Sequence, residues 1–186
     1  MGESMPHGGK LINRIDEHFS KENIRHSVEL SKLEVSDLEL IANGAYSPLE
    51  GFMEKKDYDS VVEKMRLSNG LPWSIPITLA VEPQKAKLLK IGETINLIHD
   101  NTIYGVMIVK EMFKPDKKVE ADRVYRTIDP HHPGVKKLFE RPDIYLAGPI
   151  TLIKRLEKAK FESFHLDPTQ TREKFKELGW ETVVGF

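Results

Sequence analysis

Histidine and carboxylate residues are the first candidates for chemistry in this chain, which contains seven histidines and no cysteine. Two of the histidines, His131 and His132, are adjacent in a proline-rich segment that also contains Asp129. A metal site is one interpretation, because imidazole and carboxylate groups bind zinc. However, neighbouring side chains diverge in a strand and lie about 100° apart on a helix. The spacing therefore favours a surface pair, or a pair hydrogen-bonded within its loop.

The other histidines give weaker signals. His7 lies in the short motif PHGG, where we expect a structural role, either capping or cross-linking the N-terminal segment. The remaining four stand alone in the sequence, and we assign them no function: His18, His26, His99 and His165. The absence of cysteine excludes a disulfide framework, a thiolate metal site and a cysteine nucleophile.

A ten-residue segment, NGAYSPLEGF at 43–52, combines two glycines with serine, tyrosine and proline. Its simplest interpretation is a tight connection after a helix, in which Gly44 and Gly51 meet requirements of the backbone. The alternatives are a surface that docks another domain and, least favoured, a contact to substrate. Neither of the glycine-rich phosphate-binding patterns, GxxxxGK[ST] and GxGxxG, occurs in the chain.

The charges of the chain are nearly balanced, since 28 basic and 29 acidic residues leave a formal net charge of -1. This balance gives no reason to expect binding to nucleic acid or to an anionic membrane. No apolar run approaches the roughly 18 residues that a membrane span requires, and the N-terminus lacks the apolar core of a signal peptide. We therefore expect a cytoplasmic protein whose 186 residues suit one domain, or one domain with part of a second.

Three segments in the body of the chain have helical periodicity. The motif SDLE predicts a helix that begins at Ser36, because Ser36 and Glu39 match a capping box, and that ends at Gly44. A second helix is predicted over residues 57–65, where the apolar residues fall on one face. A third is predicted before Pro142, with these residues inward: Val135, Leu138 and Phe139.

Apolar and β-branched patterns predict strands in four places. These are residues 75–81, a β-hairpin over residues 94–109 around the turn HDNT, residues 124–128, and the segment IYLAGPITLIKRL. Pro72 and Pro76 confine the first of these strands to a sheet edge or its start. Short strands, with the helices grouped toward the N-terminus, predict an α+β domain around a small barrel or curled sheet.

The last part of the chain has the pattern expected at the beginning of a second domain. A turn signal, Asp-Pro, is followed by Thr169 or Thr171 as the expected cap of a helix that ends at Gly179. A short apolar strand at 181–184 would follow. A cap, a helix and an apolar strand are typical of the beginning of an α/β domain, so we place a domain boundary after residue 168.

Six segments occur in an order and spacing that resemble one known family: PHGGKL, IANGAYSPLEGFM, MRLSNGLPWSIPITL, DPHHPGV, YLAGP and TREKFKELGWETVVGF. Together they resemble the N-terminal part of the sulfate adenylyltransferase family, also called ATP sulfurylase, over nearly the whole chain. The resemblance implies a PUA-like domain, a small β-barrel with flanking helices, over residues 1–168. Residues 169–186 would be the truncated start of an α/β nucleotidyltransferase domain that carries catalysis.

The family joins ATP and sulfate into adenosine 5'-phosphosulfate and pyrophosphate, and its intact enzymes use Mg-ATP. Its substrate-binding motif, Gln-x-Arg-Asn, and its His-x-x-His pair are both absent from this sequence. The resemblance therefore implies that this chain alone has no catalytic, substrate-binding or metal-binding residue, binds no cofactor and is inactive. Its expected partner is the missing catalytic domain of the same chain, with ATP and sulfate as substrates of the intact enzyme. The resemblance leaves a homo-oligomer open.

The resemblance also makes the segment at 43–52 a candidate domain interface, with these residues: Asn43, Tyr46, Ser47, Pro48 and Phe52. One alternative function is a free-standing RNA-binding module, because PUA-like barrels elsewhere bind RNA. Fold analogy alone is weak support, and the chain has no basic stripe with interleaved aromatic residues. Another alternative is a regulatory domain for a small nucleotide, for which the sequence indicates no pocket. For roughly the last 15 residues we expect disorder or intermolecular packing, because an unpaired apolar strand frays or pairs with another edge.

Overall fold

A computed structural model describes residues 5–20, 23–157 and 160–184 of the chain. Over these residues the α-helices are α1 (Lys32–Ala42), α2 (Lys55–Lys64), α3 (Pro83–Ala86), α4 (Lys117–Glu120), α5 (Pro133–Glu140) and α6 (Pro168–Glu177). The strands are β1 (Ser27–Glu29), β2 (Gly51–Phe52), β3 (Leu79–Val81), β4 (Thr94–His99), β5 (Thr102–Ile108), β6 (Glu111–Phe113) and β7 (Ile144–Leu152). A π-helical turn, Ala121–Tyr125, continues α4, and a 3-10 turn, Glu162–Phe164, precedes α6.

Strand β7 organises the sheet, because it pairs antiparallel with β2, β3, β5 and β6 along its nine residues. Its first half lies beside β3 and β6, its middle pairs with β2, and its last residues pair with β5. Strand β5 forms a hairpin with β4, and β1 lies parallel to β4 at the edge. The mixed sheet therefore forms a half-barrel flanked by helices, which confirms the predicted α+β class.

The change of partners along β7 depends on Gly148. Its φ is +148°, and a Cβ atom there would lie 2.0 Å from the carbonyl oxygen of Ile108. On the neighbouring strand β2, a Cβ atom at Gly51, whose register partner is Pro149, would lie 1.8 Å from the carbonyl oxygen of Gly148. These two glycines let the backbones approach to a distance that a side chain would block.

Two hydrophobic clusters share β7. The first packs α1 against the sheet, with these residues among its members: Leu38, Ile41, Ile95, Leu97, Met107, Ile150 and Leu152. The second packs α2 beside the first half of β7, with these residues among its members: Tyr58, Val61, Val62, Phe113 and Tyr145. Burying one such side chain contributes about 1.5–3 kcal/mol. The clusters therefore stabilise α1 and α2, which are too short to be stable alone.

Helix α1 begins four residues before the predicted start at Ser36, and its cap is Ser31. The Ser31 hydroxyl accepts the Glu34 N–H, and the Glu34 carboxylate accepts the Ser31 N–H at 2.9 Å. The motif SDLE is therefore internal to the helix, and the prediction that it caps α1 is wrong. The earlier start is favoured because it places Val35 in the hydrophobic core. The predicted end is confirmed, since Gly44 follows α1 with a φ of +86°.

The other predicted helices are confirmed, with corrections at their ends and faces. Helix α2 covers most of residues 57–65, and α5 buries Val135 and Leu138. Phe139, which was expected inward, is 37% exposed. Helix α6 is capped by Asp167 rather than by a threonine. The reason is Pro168, which fits the first helical position and so makes the residue before it the cap.

The hairpin over residues 94–109 and the strand that begins at Ile144 are confirmed. Of residues 75–81 only Leu79–Val81 form a strand, since Pro76 has no N–H to donate to a ladder and Ile75 is 51% exposed. The predicted strand at 124–128 is wrong. Its first residues belong to the π-helical turn, which continues the helix that Asp116 caps and ends at left-handed Arg126.

The predicted strand at 181–184 is absent from the described residues, and residues 182–184 are exposed. A strand requires a neighbour that accepts its backbone hydrogen bonds, and none of the described strands lies beside this segment. Residues 172–177 are helical, but no residue of α6 is buried, so the alternative of intermolecular packing for this segment stays a prediction; the last two residues lie outside the described part of the chain. The longest described helix has 11 residues, so no helix described is long and apolar enough to cross a membrane.

Candidate docking surface

The segment at 43–52 is held in a tight connection by its own polar groups. Asn43 ends α1, and its side-chain oxygen accepts the N–H of Ala45 at 3.0 Å. The Ser47 hydroxyl donates to the carbonyl oxygen of Gly44 at 2.6 Å and accepts the N–H of Ile12 at 3.0 Å. The Ser47–Pro48 peptide bond is cis. These bonds confirm that the segment is a compact turn packed against the N-terminal part of the chain.

Aromatic side chains cover this turn and form what we call the Tyr46–Trp73 surface, defined by His7, Asp37, Tyr46, Pro48 and Trp73. The rings of Tyr46 and Trp73 meet edge to face with centroids 6.0 Å apart, and His7 lies 6.1 Å from Trp73. His7 Nε2 lies 2.9 Å from the carbonyl oxygen of Pro72, which confirms its predicted cross-linking role. Tyr46, Pro48 and Trp73 are half-buried, so each retains area for contact.

Asp37 gives the surface its electrostatic character. Burial is the main cause that raises the pKa of Asp37 to about 6, although a hydrogen bond from the Tyr46 hydroxyl at 3.4 Å opposes the shift. Burial and the nearby Asp37 carboxylate also raise the pKa of Tyr46. The surface therefore combines half-buried aromatic rings with a carboxyl group that changes its charge near neutral pH.

The five predicted interface residues do not all lie on the outside. Asn43, Tyr46 and Pro48 are half-buried. Ser47 is only 4% exposed and Phe52 only 2%, and Phe52 is a member of the first hydrophobic cluster. The structure therefore brings three candidates to the surface and uses the other two to shape the turn from within.

The sequence reading missed a buried ion pair beneath α1. Arg141 Nη2 donates to Glu34 Oε1 at 3.3 Å and to the carbonyl oxygen of Thr78 at 2.7 Å. Glu34 also accepts hydrogen bonds from the Ser31 and Ala80 N–H groups. The guanidinium lies 5.0 Å from the centre of the Tyr145 ring. Every charge here has a partner inside the domain, so the pair leaves no free charge for a ligand, and removing one partner would leave the other unpaired.

A second buried carboxyl group, Glu120, accepts hydrogen bonds from the hydroxyls of Tyr58 at 2.8 Å and Tyr145 at 3.1 Å. Burial raises the pKa of Glu120 above its ordinary range, and both hydrogen bonds oppose this shift. No sequence signal identified this group, because its partners lie on α2 and β7. The residue links these elements and has its partners within the core.

The histidine pair is part of a loop and a helix cap. His131 is exposed, and its Nδ1 atom lies 2.8 Å from Asp129 Oδ1. The His132 Nδ1 atom accepts the N–H of Gly134 at 3.2 Å and so caps α5. Both histidines therefore make hydrogen bonds within their loop, and His132 uses its Nδ1 lone pair in the helix cap.

A different group brings potential metal ligands together among the described residues, namely Glu29, His99 and Asp100, whose ligand atoms lie within 4.8 Å of one another. The His99 Nδ1 atom lies 2.8 Å from the carbonyl oxygen of Leu30. Both carboxylates are exposed, and such groups are common on protein surfaces without any ion. The sequence reading missed this cluster because Glu29 is distant in the chain from the other two residues.

An open cleft of about 690 Å³ lies beside α4 and has Lys114, Lys117, Phe139 and Asp143 among its lining residues. Lys117 Nζ pairs with Asp143 at 2.8 Å, and Lys114 lies 4.0 Å from the same carboxylate. Hydrogen bonding to Lys117 lowers the pKa of Asp143, so this acid stays charged. The charges of two of the cleft's lysines are thus partly neutralised by Asp143, so the cleft is a weak candidate for an anion-binding site.

Comparison with known proteins supports the resemblance identified from the motifs. A sulfate adenylyltransferase of Chloroflexus aurantiacus (strain ATCC 29366 / DSM 635 / J-10-fl) is 49% identical over 182 residues, which cover 97% of this chain and 47% of that protein. Proteins of the same name are 46% identical in Synechococcus sp. (strain JA-3-3Ab) and 43% identical in Halothermothrix orenii (strain H 168 / OCM 544 / DSM 9562). These alignments cover 97% of this chain and 48% and 49% of the relatives. The chain thus spans about half the length of the curated relatives it matches.

The fold is also found among solved structures. A structure titled hexameric APS kinase from Thiobacillus denitrificans superposes with a TM-score of 0.70 at 24% identity, over 95% of this chain and 32% of that one. A family model described as a PUA-like domain matches residues 4–155. Together with the curled sheet and its flanking helices, this match shows that the chain belongs to the PUA-like domain family.

Proposed function

We propose that this chain is the non-catalytic PUA-like portion of a sulfate adenylyltransferase and supports a catalytic domain of the same enzyme. The observation that carries the proposal is the 43–49% identity to proteins of that name over 97% of the chain. The proposal includes a domain boundary after residue 168, Mg-ATP and sulfate as ligands of the intact enzyme only, and a cytoplasmic location. A homo-oligomer is part of the proposal for the intact enzyme, and light scattering after size exclusion would test it.

The chemistry supports a division of labour between two domains. In the reaction a sulfate oxygen attacks the α-phosphorus of ATP and pyrophosphate leaves, so the enzyme must hold anions in line and disperse their charge. Cationic groups, backbone N–H groups and Mg²⁺ do this work. Among the described residues, the buried carboxyl groups are Glu34 and Glu120, and the guanidinium of Arg141 is hydrogen-bonded to Glu34. These groups have their partners inside the domain, so none of them is available to hold an anionic substrate, which favours a supporting role.

The docking role is assigned to the outward members of the turn after α1, namely Asn43, Tyr46 and Pro48. Tyrosine and tryptophan are enriched in protein interfaces because they bury much area and retain a polar edge. Trp73 adds a second ring to the same surface. Ser47 and Phe52 would act indirectly, by holding the turn in shape. The proposed occupant is the half of the intact enzyme that this chain does not match.

The central experiment is an assay of the purified chain with Mg²⁺, adenosine 5'-phosphosulfate and pyrophosphate, read as ATP formed. The full-length Chloroflexus aurantiacus relative, assayed at the same concentration, is the positive control. We expect no ATP above background from the folded chain. A rate of ATP formation that rises in proportion to the concentration of the chain would overturn the non-catalytic assignment.

A chimera tests the supporting role directly. This chain would replace the half of the Chloroflexus aurantiacus relative that it matches. We expect the chimera to form ATP, and we expect Tyr46→Ala to lower its activity and its melting temperature more than Tyr104→Ala does. Tyr104 is the matched control, because it is a half-buried tyrosine of β5, outside the Tyr46–Trp73 surface. Equal effects of the two substitutions would contradict the docking role of Tyr46.

A further inference from the structure

Arg155 follows the end of β7 and joins two elements that are distant in sequence. Its Nη1 and Nη2 atoms donate parallel hydrogen bonds to the two carboxylate oxygens of Asp167, each 2.8 Å long. Its Nε atom donates to Glu39 Oε1 on α1 at 2.9 Å. A bidentate guanidinium–carboxylate pair fixes the relative orientation of its partners as well as their distance.

The Arg155 group is partly shielded from water. The side chains of Arg155 and Asp167 are each 25% exposed, and that of Glu39 is 12% exposed. The Asn43 side chain donates a further hydrogen bond to Asp167 Oδ1 at 3.3 Å. Hydrogen bonding to Asp167 raises the pKa of Arg155 above its ordinary value, so the cation persists. Partial burial and several simultaneous bonds distinguish this network from an isolated surface ion pair, which contributes little.

Asp167 is also the first residue of the capping box of α6. Its N–H donates to the side-chain oxygen of Gln170 at 2.8 Å, and the Thr171 hydroxyl donates to its carbonyl oxygen at 3.1 Å. None of the residues of α6 is buried. Apolar packing therefore contributes little to where α6 lies, and polar contacts hold it, with those of Asp167 at its first turn among them.

We propose that Arg155 is a clamp that fixes the direction of α6 relative to α1, by holding Asp167 between Glu39 and Asn43. Arg155 is then a positioning residue for α6. The end of α6 carries an apolar surface, where Phe175 stacks on Trp180 with ring centroids 5.9 Å apart and Leu178 is exposed. The clamp holds this surface in one orientation. The inference concerns the geometry of this chain and does not rest on the proposed enzymatic role.

Spin-label distances measure this orientation, and the absence of native cysteine makes the labelling specific. The parent protein carries Glu63→Cys on α2 and Glu173→Cys on α6, both exposed positions. Pulsed electron paramagnetic resonance should give a narrow distance distribution for the parent. Arg155→Gln and Asp167→Asn should each broaden it. Asp167→Asn is informative because asparagine is as good a helix cap as aspartate, so it removes the charged fork and keeps α6.

Two controls separate the clamp from a general effect of lost charge. Arg123→Gln removes an exposed arginine. Among the described residues, the ion pair of Arg123 is with Asp122, at 3.9 Å between Nε and Oδ2, so this substitution should leave the distance distribution unchanged. Arg155→Lys keeps the charge without the fork and should give an intermediate width. Hydrogen exchange of residues 168–177 should become roughly tenfold faster in Asp167→Asn, with α1 unaffected.

The proposal is overturned if Arg155→Gln and Asp167→Asn keep the parent distribution while circular dichroism shows a folded protein. If Arg155→Gln fails to fold, Asp167→Asn and Glu39→Gln decide the question by the same measurement. A purely structural arginine would lower the melting temperature without changing the distance distribution of the folded protein, and that result would also contradict the clamp.

Discussion

Asp37 is a carboxyl group whose surroundings oppose its charge. Burial raises its pKa to about 6 from the ordinary value of 3.8. Between these two values the folded protein binds a proton that the unfolded chain has already lost, so the stability contributed by this group falls as the pH rises. The contribution is fully present below about pH 4 and is lost above about pH 6.

Replacing Asp37 by asparagine should remove this pH dependence, because the amide keeps an acceptor for the Tyr46 hydroxyl without the charge. We expect Asp37→Asn to raise the free energy of unfolding at pH 7.5 by about 1–3 kcal/mol, and to change it little at pH 4. Urea unfolding at several pH values measures the difference. Asp122→Asn, which alters an exposed carboxyl group, is the control. A gain of equal size at both pH values would argue against titration as the cause.

The Glu120 carboxyl group is a second residue whose burial is tolerated only because it has hydrogen-bond donors. Tyr58→Phe removes the donor at 2.8 Å and leaves the ring in place. We expect a loss of about 1–3 kcal/mol in the free energy of unfolding, the typical cost of an unsatisfied buried polar group. Tyr104→Phe, at a half-buried tyrosine of β5, should cost less than about 0.5 kcal/mol. Similar losses in the two variants would contradict this assignment.

At the scale of elements, α1 is an informative case because it offers two motifs that resemble a cap. Ser31 with Glu34 forms the capping box, and Ser36 with Glu39 lies inside the helix. We expect Ser31→Ala to lower the free energy of unfolding by about 1 kcal/mol. Ser36→Ala should be neutral or slightly stabilising, because alanine is the better helix former. Urea unfolding of the two variants compares the positions, and a larger loss for Ser36→Ala would place the start of α1 at the later motif.

The close approach of β7 to the end of β5 at Gly148 makes a prediction of its own. A Cβ atom at Gly148 would meet a backbone oxygen at 2.0 Å, whereas one at Gly70 would have nothing within 4 Å. Both glycines have positive φ, so the comparison isolates the close approach. We expect Gly148→Ala to cost about 3 kcal/mol or more and Gly70→Ala about 1 kcal/mol. Thermal unfolding measures both, and equal costs would show that the backbones can separate without loss.

At the scale of the whole molecule, the sharing of β7 between the two hydrophobic clusters should make the domain unfold in one transition. Leu38→Ala and Val61→Ala each create a cavity in one cluster. We expect a loss of about 2–5 kcal/mol for Leu38→Ala and somewhat less for Val61→Ala, both on the same transition. The fluorescence of Trp73, in a Trp180→Phe background, and far-UV circular dichroism should coincide. Two separated transitions would mean that the clusters fold independently.

The α+β class, the helices α2 and α5, the hairpin and the family of the chain could all be predicted from the order of the residues. These features follow from the periodicity of neighbouring residues and from long motifs, both of which can be read along the chain. The sequence reading also indicated the turn after α1, although it could not separate Tyr46 and Pro48, which face outward, from Ser47 and Phe52, which face inward.

Contacts between residues that are distant in the chain could not be predicted and became visible only in the folded protein. Arg141 lies 107 residues from Glu34, and Arg155 lies 116 residues from Glu39. No local pattern encodes such pairs, because they depend on how α1 packs beside the ends of β7. The same reason explains the wrong strands: residues 124–128 and 181–184 have suitable composition, but a strand exists only where the fold provides a neighbouring strand for its backbone hydrogen bonds.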